Sequence, residues 1–145
     1  FPAAKQEHLR LAGFWKPLRG DAKVRRTNNE NHATQVFQRT VAVYESLSSD
    51  FPASVGFQND LAAAYYAYSA WQMESGFQQE NATKLQEGFE ISKKAIDIWE
   101  RLFREYPEQP DHAENLIESL GNASFWYRVT GRTEQERAMI DRSLQ

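Results

Sequence analysis

The chain has 145 residues, of which 41% are hydrophobic and 13% aromatic, which is enough to bury a core and too apolar for a disordered segment. It contains no cysteine, so disulfides, thiolate metal sites and cysteine nucleophiles are excluded. The net charge is only -3, but the charges are unevenly distributed. Residues 1–27 hold seven basic and two acidic side chains, whereas the remainder holds ten basic and eighteen acidic ones.

No stretch of the sequence predicts a membrane helix or a leader. The longest nearly unbroken apolar run covers residues 61–71 and is about half as long as the roughly 20 residues that a membrane-spanning helix needs. The first residues do not show the basic region followed by an apolar region that is typical of a signal peptide. We therefore expect a cytoplasmic protein without a membrane span.

One short phrase occurs three times along the chain: an aromatic residue, a proline, eight further residues and a leucine. Its copies are Phe1-Pro2 with Leu11, Phe51-Pro52 with Leu61, and Tyr106-Pro107 with Leu116. The stretches ahead of the second and third copies also correspond, since VAVYESLSSDFP matches IDIWERLFREYP at several apolar positions. Self-similarity with a period of about 50 residues is typical of helical solenoids. The chain therefore divides into units of about 1–50, 51–105 and 106–145.

Taken in chain order, the apolar periodicity predicts six helices. They span approximately residues 3–26, 31–50, 53–75, 79–105, 109–130 and 133–144. Each aromatic–proline pair ends one helix and places its proline in the first turn of the next. We expect Gly76 and Gly131 to cap helix C-termini, and Asn28-Asn29 to form a break in the first unit. No segment alternates with period two, so the sequence predicts an all-α fold without a sheet.

The last unit, YPEQPDHAENLIESLGNASFWYRVTGRTEQERAMIDRSL, resembles a tetratricopeptide repeat of the longer bacterial kind. With Gly131 in the place of the family's turn glycine, Ala123 and Ser124 fall on its Leu-Gly step and Tyr127 falls on its aromatic position. The resemblance implies an α-α superhelix of about three helical hairpins, forming one repeat domain over residues 1–145. The chain starts on the aromatic–proline phrase and stops near the end of a second-type helix, so we expect it to be a fragment of a longer protein.

By this resemblance, the first helix of each hairpin lines a concave surface that binds a peptide or protein partner. The implied groove residues are Lys16 and Lys23 in the first unit, Tyr66, Ala70 and Met73 in the second, and Gly121, Phe125 and Arg128 in the third. The basic members favour an acidic segment or a carboxylate as the ligand. The resemblance thus implies a protein-interaction or scaffold module, such as the regulatory part of a larger protein.

Two other functions stay open at the level of sequence. The segment KVRRTNN at residues 23–29 is basic and has Phe14 and Trp15 upstream, a combination that contacts phosphates and stacks bases in RNA-binding proteins. An enzyme with an all-helical active site is the third possibility. The three histidines lack metal-site spacing, however, and the chain has neither a phosphate-binding glycine loop nor a GxSxG motif. We expect no enzymatic activity, no metal and no cofactor.

Overall fold

The computed structural model describes the backbone of residues 22–143 and the side chains of residues 29–142. This part of the chain forms helices and contains no strand, which confirms the predicted all-α fold. The helices are α1 (Ala22–Asp50), α2 (Val55–Gln78), α3 (Ala82–Glu105), α4 (Pro110–Val129) and α5 (Thr133–Ser143). The ends of α2 to α5 lie within three residues of the predicted ones. Most of the predicted first helix, residues 3–21, lies outside the described residues.

Successive helices pack against each other as helical hairpins. Helix α1 packs on α2, α2 on α3, α3 on α4 and α4 on α5, and connections of three or four residues join them. Because these connections are so short, neighbouring helices run in opposite directions. Helix α2 also contacts α4, so the first helices of two successive hairpins lie side by side.

Helix α1 is longer than the sequence predicts. It begins at Ala22 and continues through Asn28 and Asn29, so the predicted break at these two residues is wrong. An asparagine in a helix interior costs less than about 0.7 kcal/mol relative to alanine, and tertiary packing routinely overrides such a preference. Here the nearest contacts come from Glu30, which accepts a hydrogen bond from Nε2 of Gln79 over 2.6 Å, and from Ala33, which is buried with Trp71 of α2.

Both described aromatic–proline phrases form the same tight turn. The main-chain N–H three residues after each aromatic donates to the carbonyl of that aromatic, over 2.9 Å in the second copy and 3.1 Å in the third. Pro52 and Pro107 occupy the second position of these turns, which their fixed φ suits. The prediction that each of these prolines stands in the first turn of the next helix is therefore wrong, because both lie in the connections between helices. Helices α2 and α4 begin three residues later, at Val55 and Pro110.

The buried positions of the helices repeat at the same 55-residue offset as the phrase. Pairs in which both members are buried are Ala33 with Gly88, Phe37 with Ser92, Val41 with Ile96, Ala64 with Ser119, Tyr65 with Leu120, Ser69 with Ser124, and Gln72 with Tyr127. Many of these pairs are unlike in side chain, yet they use the same helix face for packing. The repeat is therefore expressed in burial more clearly than in residue identity.

The second and third units differ in how their first helices, α2 and α4, end. Gly131 follows α4 with a φ of 77°, and the N–H of Arg132 donates to the carbonyl of Tyr127 over 2.7 Å, as in a Schellman cap. Gly76, the counterpart of Gly131 in sequence, lies inside α2, and the left-handed cap residue there is Glu80, with a φ of 51°. The prediction that Gly76 caps its helix is wrong, because α2 continues for about one more turn.

Gly76 and Gly88 instead allow α2 and α3 to approach closely. A Cβ atom at Gly76 would lie 2.9 Å from the main-chain nitrogen of Leu85. One at Gly88 would lie 2.6 Å from Cγ of Met73 and 3.1 Å from its main-chain nitrogen. Both positions therefore need glycine for steric reasons.

A buried aromatic stack connects the two hairpins. Phe89 of α3 lies parallel to Tyr127 of α4, with ring centroids 4.2 Å apart and planes 3° apart. Met73, Leu120 and Met139 are buried in the same cluster. Burying a large apolar side chain fully contributes about 1.5–3 kcal/mol. This cluster fixes α4 beside α2 and α3.

Candidate functional site

The predicted groove residues of the second and third units do not all share one environment. Tyr66 and Ala70 of α2 are half-buried, and Gly121 and Phe125 of α4 are exposed. Met73 has no exposed surface, because its side chain lies in the core against α3. The prediction that Met73 lines an open groove is therefore corrected: it is a core residue.

Neither of the two predicted groove residues of the first unit has a described side chain. Lys16 lies outside the described residues. Lys23 belongs to α1, but its side chain lies outside the described ones. The surface can therefore be followed on α2 and α4.

Helix α4 presents a continuous exposed face. Ile117, Gly121 and Phe125 follow one another at intervals of four residues, which places them along one side of the helix. Ile117 is 60% exposed and Phe125 is 49% exposed. Glu114 and Arg128 are also exposed and extend this face at its two ends. Two large apolar side chains are thus open to solvent on either side of a glycine.

The neighbouring face of α2 is a strip of small side chains. Ala63, Ala67 and Ala70 recur at intervals of three or four residues, and all three are half-buried. The exposed Glu74 continues the strip, and Phe77, which is 50% exposed, lies at its C-terminal end. Because alanine side chains are short, this face projects little from the helix, and it is mostly apolar.

Contacts between α2 and α4 hold the two faces side by side. The hydroxyl of Tyr66 donates to Oε1 of Glu118 over 3.3 Å. Further along, Phe77 meets Trp126 edge-on at a centroid distance of 5.7 Å, and Trp126 meets Phe125 at 5.4 Å. We call the resulting face the α2–α4 surface; it comprises Tyr66, Ala70 and Phe77 of α2 with Ile117, Gly121, Phe125 and Trp126 of α4.

Tyr66 is held in place by the core beneath it. Its ring packs on Trp99 of α3 at a centroid distance of 5.9 Å, and the indole N–H of Trp99 donates to Asn59 over 3.0 Å. Burial, and in second place the carboxylate of Glu118, raise the pKa of Tyr66 to about 12. The hydroxyl therefore keeps its proton at neutral pH and remains a donor to Glu118.

Gly121 differs from the glycines of the core. A Cβ atom at this position would meet no heavy atom within 4 Å. Glycine in a helix interior is nevertheless unfavourable by about 0.5–1 kcal/mol relative to alanine. Nothing that packs against α4 in the described part of the chain requires a glycine here. The space above it lies open between Ile117 and Phe125.

Acidic side chains border the α2–α4 surface. Helices α2 and α4 contain five acidic residues, Asp60, Glu74, Asp111, Glu114 and Glu118, but only one Lys or Arg, which is Arg128. Nε of Arg128 donates to Glu136 of α5 over 2.6 Å. The other basic residues between positions 55 and 142 lie on α3, on α5 or in the turn between α4 and α5. The charge of this face is therefore opposite to the one that the predicted groove lysines suggest.

The predicted groove residues leave out three members of this surface: Ile117, Phe77 and Trp126, which directly follows the predicted Phe125. Ile117 was detectable, because it precedes Gly121 and Phe125 at the same four-residue interval. Phe77 was not, because it lies beyond the predicted helix end at residue 75. The extra turn of α2 brings Phe77 to Trp126.

A second concave region of the described residues lies away from the α2–α4 surface. An open cleft of about 730 Å³ lies along α3, with Tyr68, Ile91, Lys94 and Arg132 in its lining, and it shares no residue with the α2–α4 surface. Within residues 22–143, no three His, Asp or Glu side chains are grouped so that they could hold a metal ion. None of the described helices is both long and apolar enough to cross a membrane.

Comparison of the chain with protein-family models, with curated proteins and with solved structures gave no match. The α2–α4 surface is therefore the feature of the described residues that bears most directly on function. Its distinguishing features are exposed aromatic rings, an open glycine and an acidic border.

Proposed function

We propose that this protein is an interaction module that binds a peptide or protein partner on the α2–α4 surface. The observation that carries the proposal is a contiguous aromatic group, in which the half-buried Trp126 contacts the exposed rings of Phe77 and Phe125. The exposed Ile117 lies two helical turns from Phe125 on the same side of α4. Single exposed apolar residues are ordinary, but a contiguous patch with a polar rim marks an interaction site. Aromatic side chains in such patches supply much of the binding energy in protein complexes.

The resemblance to tetratricopeptide repeats supports the same proposal. In such solenoids the first helices of successive hairpins line the binding face. Here the first helices of the two described hairpins are α2 and α4, and they lie side by side. We extend the proposal to a scaffold or the regulatory part of a larger protein.

The charge of the surface disfavours RNA as its ligand. Glu114 and Glu118 flank the exposed apolar residues of α4, and Glu74 lies on α2. Nucleic-acid binding depends on cationic side chains that neutralise phosphates. The basic segment at residues 23–29, on which the RNA alternative rests, has no described side chain apart from Asn29.

The test is selection from a random peptide library displayed on phage, with the whole chain immobilised. Selected peptides are then measured against the wild type, Phe125→Ala and the control Phe103→Ala. Phe103 lies on α3 and is 36% exposed, so it matches Phe125 in chemistry but lies on another helix. We expect Phe125→Ala to weaken binding by about tenfold or more and Phe103→Ala to leave it unchanged. The proposal is overturned if no peptide is enriched, or if both variants bind as the wild type does.

A further inference from the structure

We propose that the segment bound at the α2–α4 surface is cationic, with a lysine or arginine lying between apolar residues. This inference rests on the proposed function and specifies its partner. It reverses the partner charge implied by the resemblance to known repeats. Three features of the surface lead to it: the acidic border, the pairing of Arg128 and the open space at Gly121.

The acidic border selects against anionic ligands. Glu74, Glu114 and Glu118 are exposed beside the apolar side chains. Unlike charges across an interface steer association, whereas like charges brought together are costly. Glu118 already accepts one hydrogen bond from Tyr66, but a carboxylate has about four acceptor sites, so it can accept a further bond from a lysine or arginine. An apolar segment that carries a cation therefore fits this border.

Arg128 does not neutralise the negative charge of the acidic border. It is the only lysine or arginine of α2 and α4, and its Nε donates to Glu136 over 2.6 Å. Its charge is thus balanced by a carboxylate of the same chain. An acidic ligand at this position would have to compete with Glu136.

The open space at Gly121 is where we place the partner's main chain. Ile117 and Phe125 are eight residues apart, which corresponds to about 12 Å along a helix. A segment whose apolar side chains contact both residues runs along α4 and passes over Gly121, where no Cβ atom intervenes. An extended chain covers this distance in about four residues. The ligand therefore has two apolar residues about four positions apart, with the cation close to them.

The probes are two synthetic peptides with identical length and apolar positions. One carries lysine at the intervening positions and the other carries glutamate. Each is labelled with fluorescein and titrated with the whole chain at low and at high salt, with anisotropy as the readout. We expect the lysine peptide to bind at least about tenfold more tightly than the glutamate peptide, with an affinity that falls as salt increases.

Two pairs of variants locate the effect. Glu74→Gln combined with Glu114→Gln is expected to weaken binding of the lysine peptide by about threefold to tenfold and to reduce its salt dependence, whereas Glu105→Gln, an exposed change on α3, leaves both unchanged. Gly121→Ala is expected to weaken binding, whereas the control Gly56→Ala leaves it unchanged. A Cβ atom at Gly56 would make only an ordinary contact, 3.8 Å from Oγ of Ser54.

Each outcome decides one of the two proposals. Equal binding of the two peptides, or tighter binding of the glutamate peptide, overturns the cationic partner but leaves the proposed function standing. The same holds if the library yields acidic peptides whose binding depends on Phe125. A dimer of the free chain that Phe125→Ala dissociates would assign the surface to a second copy and overturn the cationic segment. Failure of every synthetic and selected peptide to bind overturns the proposed function itself.

Discussion

The hydroxyl of Tyr66 on α2 donates to a carboxylate oxygen of Glu118 on α4 over 3.3 Å, and so links the first helices of two successive hairpins. The same tyrosine ring packs on Trp99 of the core. This contact connects the α2–α4 surface to the interior. A change at Tyr66 is therefore expected to affect both the stability of the fold and the order of the surface.

The first prediction concerns alkaline stability. Burial and Glu118 raise the pKa of Tyr66 from 10.0 to about 12. Between these pH values the unfolded chain loses a phenolic proton that the folded protein retains, so ionisation favours unfolding. The contribution that the raised pKa of Tyr66 makes to the unfolding free energy is complete below about pH 10. It is lost as the pH rises towards 12. We expect Tyr66→Phe to flatten the decline in unfolding free energy, measured by urea denaturation across this range.

Tyr65 is expected to make a second contribution of the same kind. Burial and Glu45 raise its pKa to about 12 as well. The single Tyr66→Phe change should therefore flatten the decline in part, and the double change with Tyr65→Phe should flatten it further. An alkaline decline of equal slope in the wild type and the double variant would contradict the account.

The second prediction compares the effects on stability of alanine substitutions at two helical glycines. Gly88→Ala places a methyl group 2.6 Å from Met73, so we expect a loss of about 1–3 kcal/mol from overpacking. Gly121→Ala meets no atom within 4 Å and should increase stability by about 0.5–1 kcal/mol. Urea denaturation of the two variants measures both changes. Destabilisation by Gly121→Ala would show that this glycine serves the fold and not a partner.

The third prediction concerns the two helix caps. Glu80 and Gly131 both adopt a positive φ, 51° and 77°, at the ends of α2 and α4. Residues other than glycine pay roughly 1–2 kcal/mol in this conformation. Glu80→Gly is thus expected to raise the unfolding free energy by up to about 1 kcal/mol, and Gly131→Ala to lower it by about 1–2 kcal/mol. Thermal denaturation reports both, and changes of the same sign would contradict the cap assignments.

The fourth prediction concerns the stack between Phe89 and Tyr127. Phe89 is almost fully buried, so Phe89→Ala removes a large core side chain and should cost about 3–5 kcal/mol. The matched change Phe103→Ala affects a ring that is 36% exposed and should cost far less. Urea denaturation compares the two variants. Similar losses at both positions would mean that the stack does not hold the hairpins together.

Much of the fold was predictable because its signals are local. The apolar period of α3 predicts a long amphipathic helix, and the aromatic–proline phrases predict the connections around Pro52 and Pro107. These features depend on a few adjacent residues. The C-terminal end of α2 does not, because Gly76 could serve as a cap or as a point of close packing. The distance to α3 decides between these two roles, and local sequence does not contain it.

The candidate surface was only partly predictable for a related reason. Tyr66, Ala70 and Met73 share helical spacing, and spacing identifies residues on one side of α2. It does not identify where the neighbouring helices lie. Met73 falls on the edge that faces α3 and the core, whereas Ala70 falls on the open part of that side. The charge of the surface was harder still to predict from the sequence, because Arg128 pairs with Glu136 on a different helix.

The central claim, that a partner binds on the α2–α4 surface, is tested most directly by site-specific photo-crosslinking. A photoreactive amino acid is placed at Ile117 in one preparation of the whole chain and at Val43 of α1 in another. These residues are 60% and 55% exposed, so they are matched in accessibility and differ in location. A peptide selected by the wild-type chain is predicted to crosslink at position 117 and not at position 43. Equal crosslinking at both positions, or crosslinking at position 43 alone, would contradict the claim.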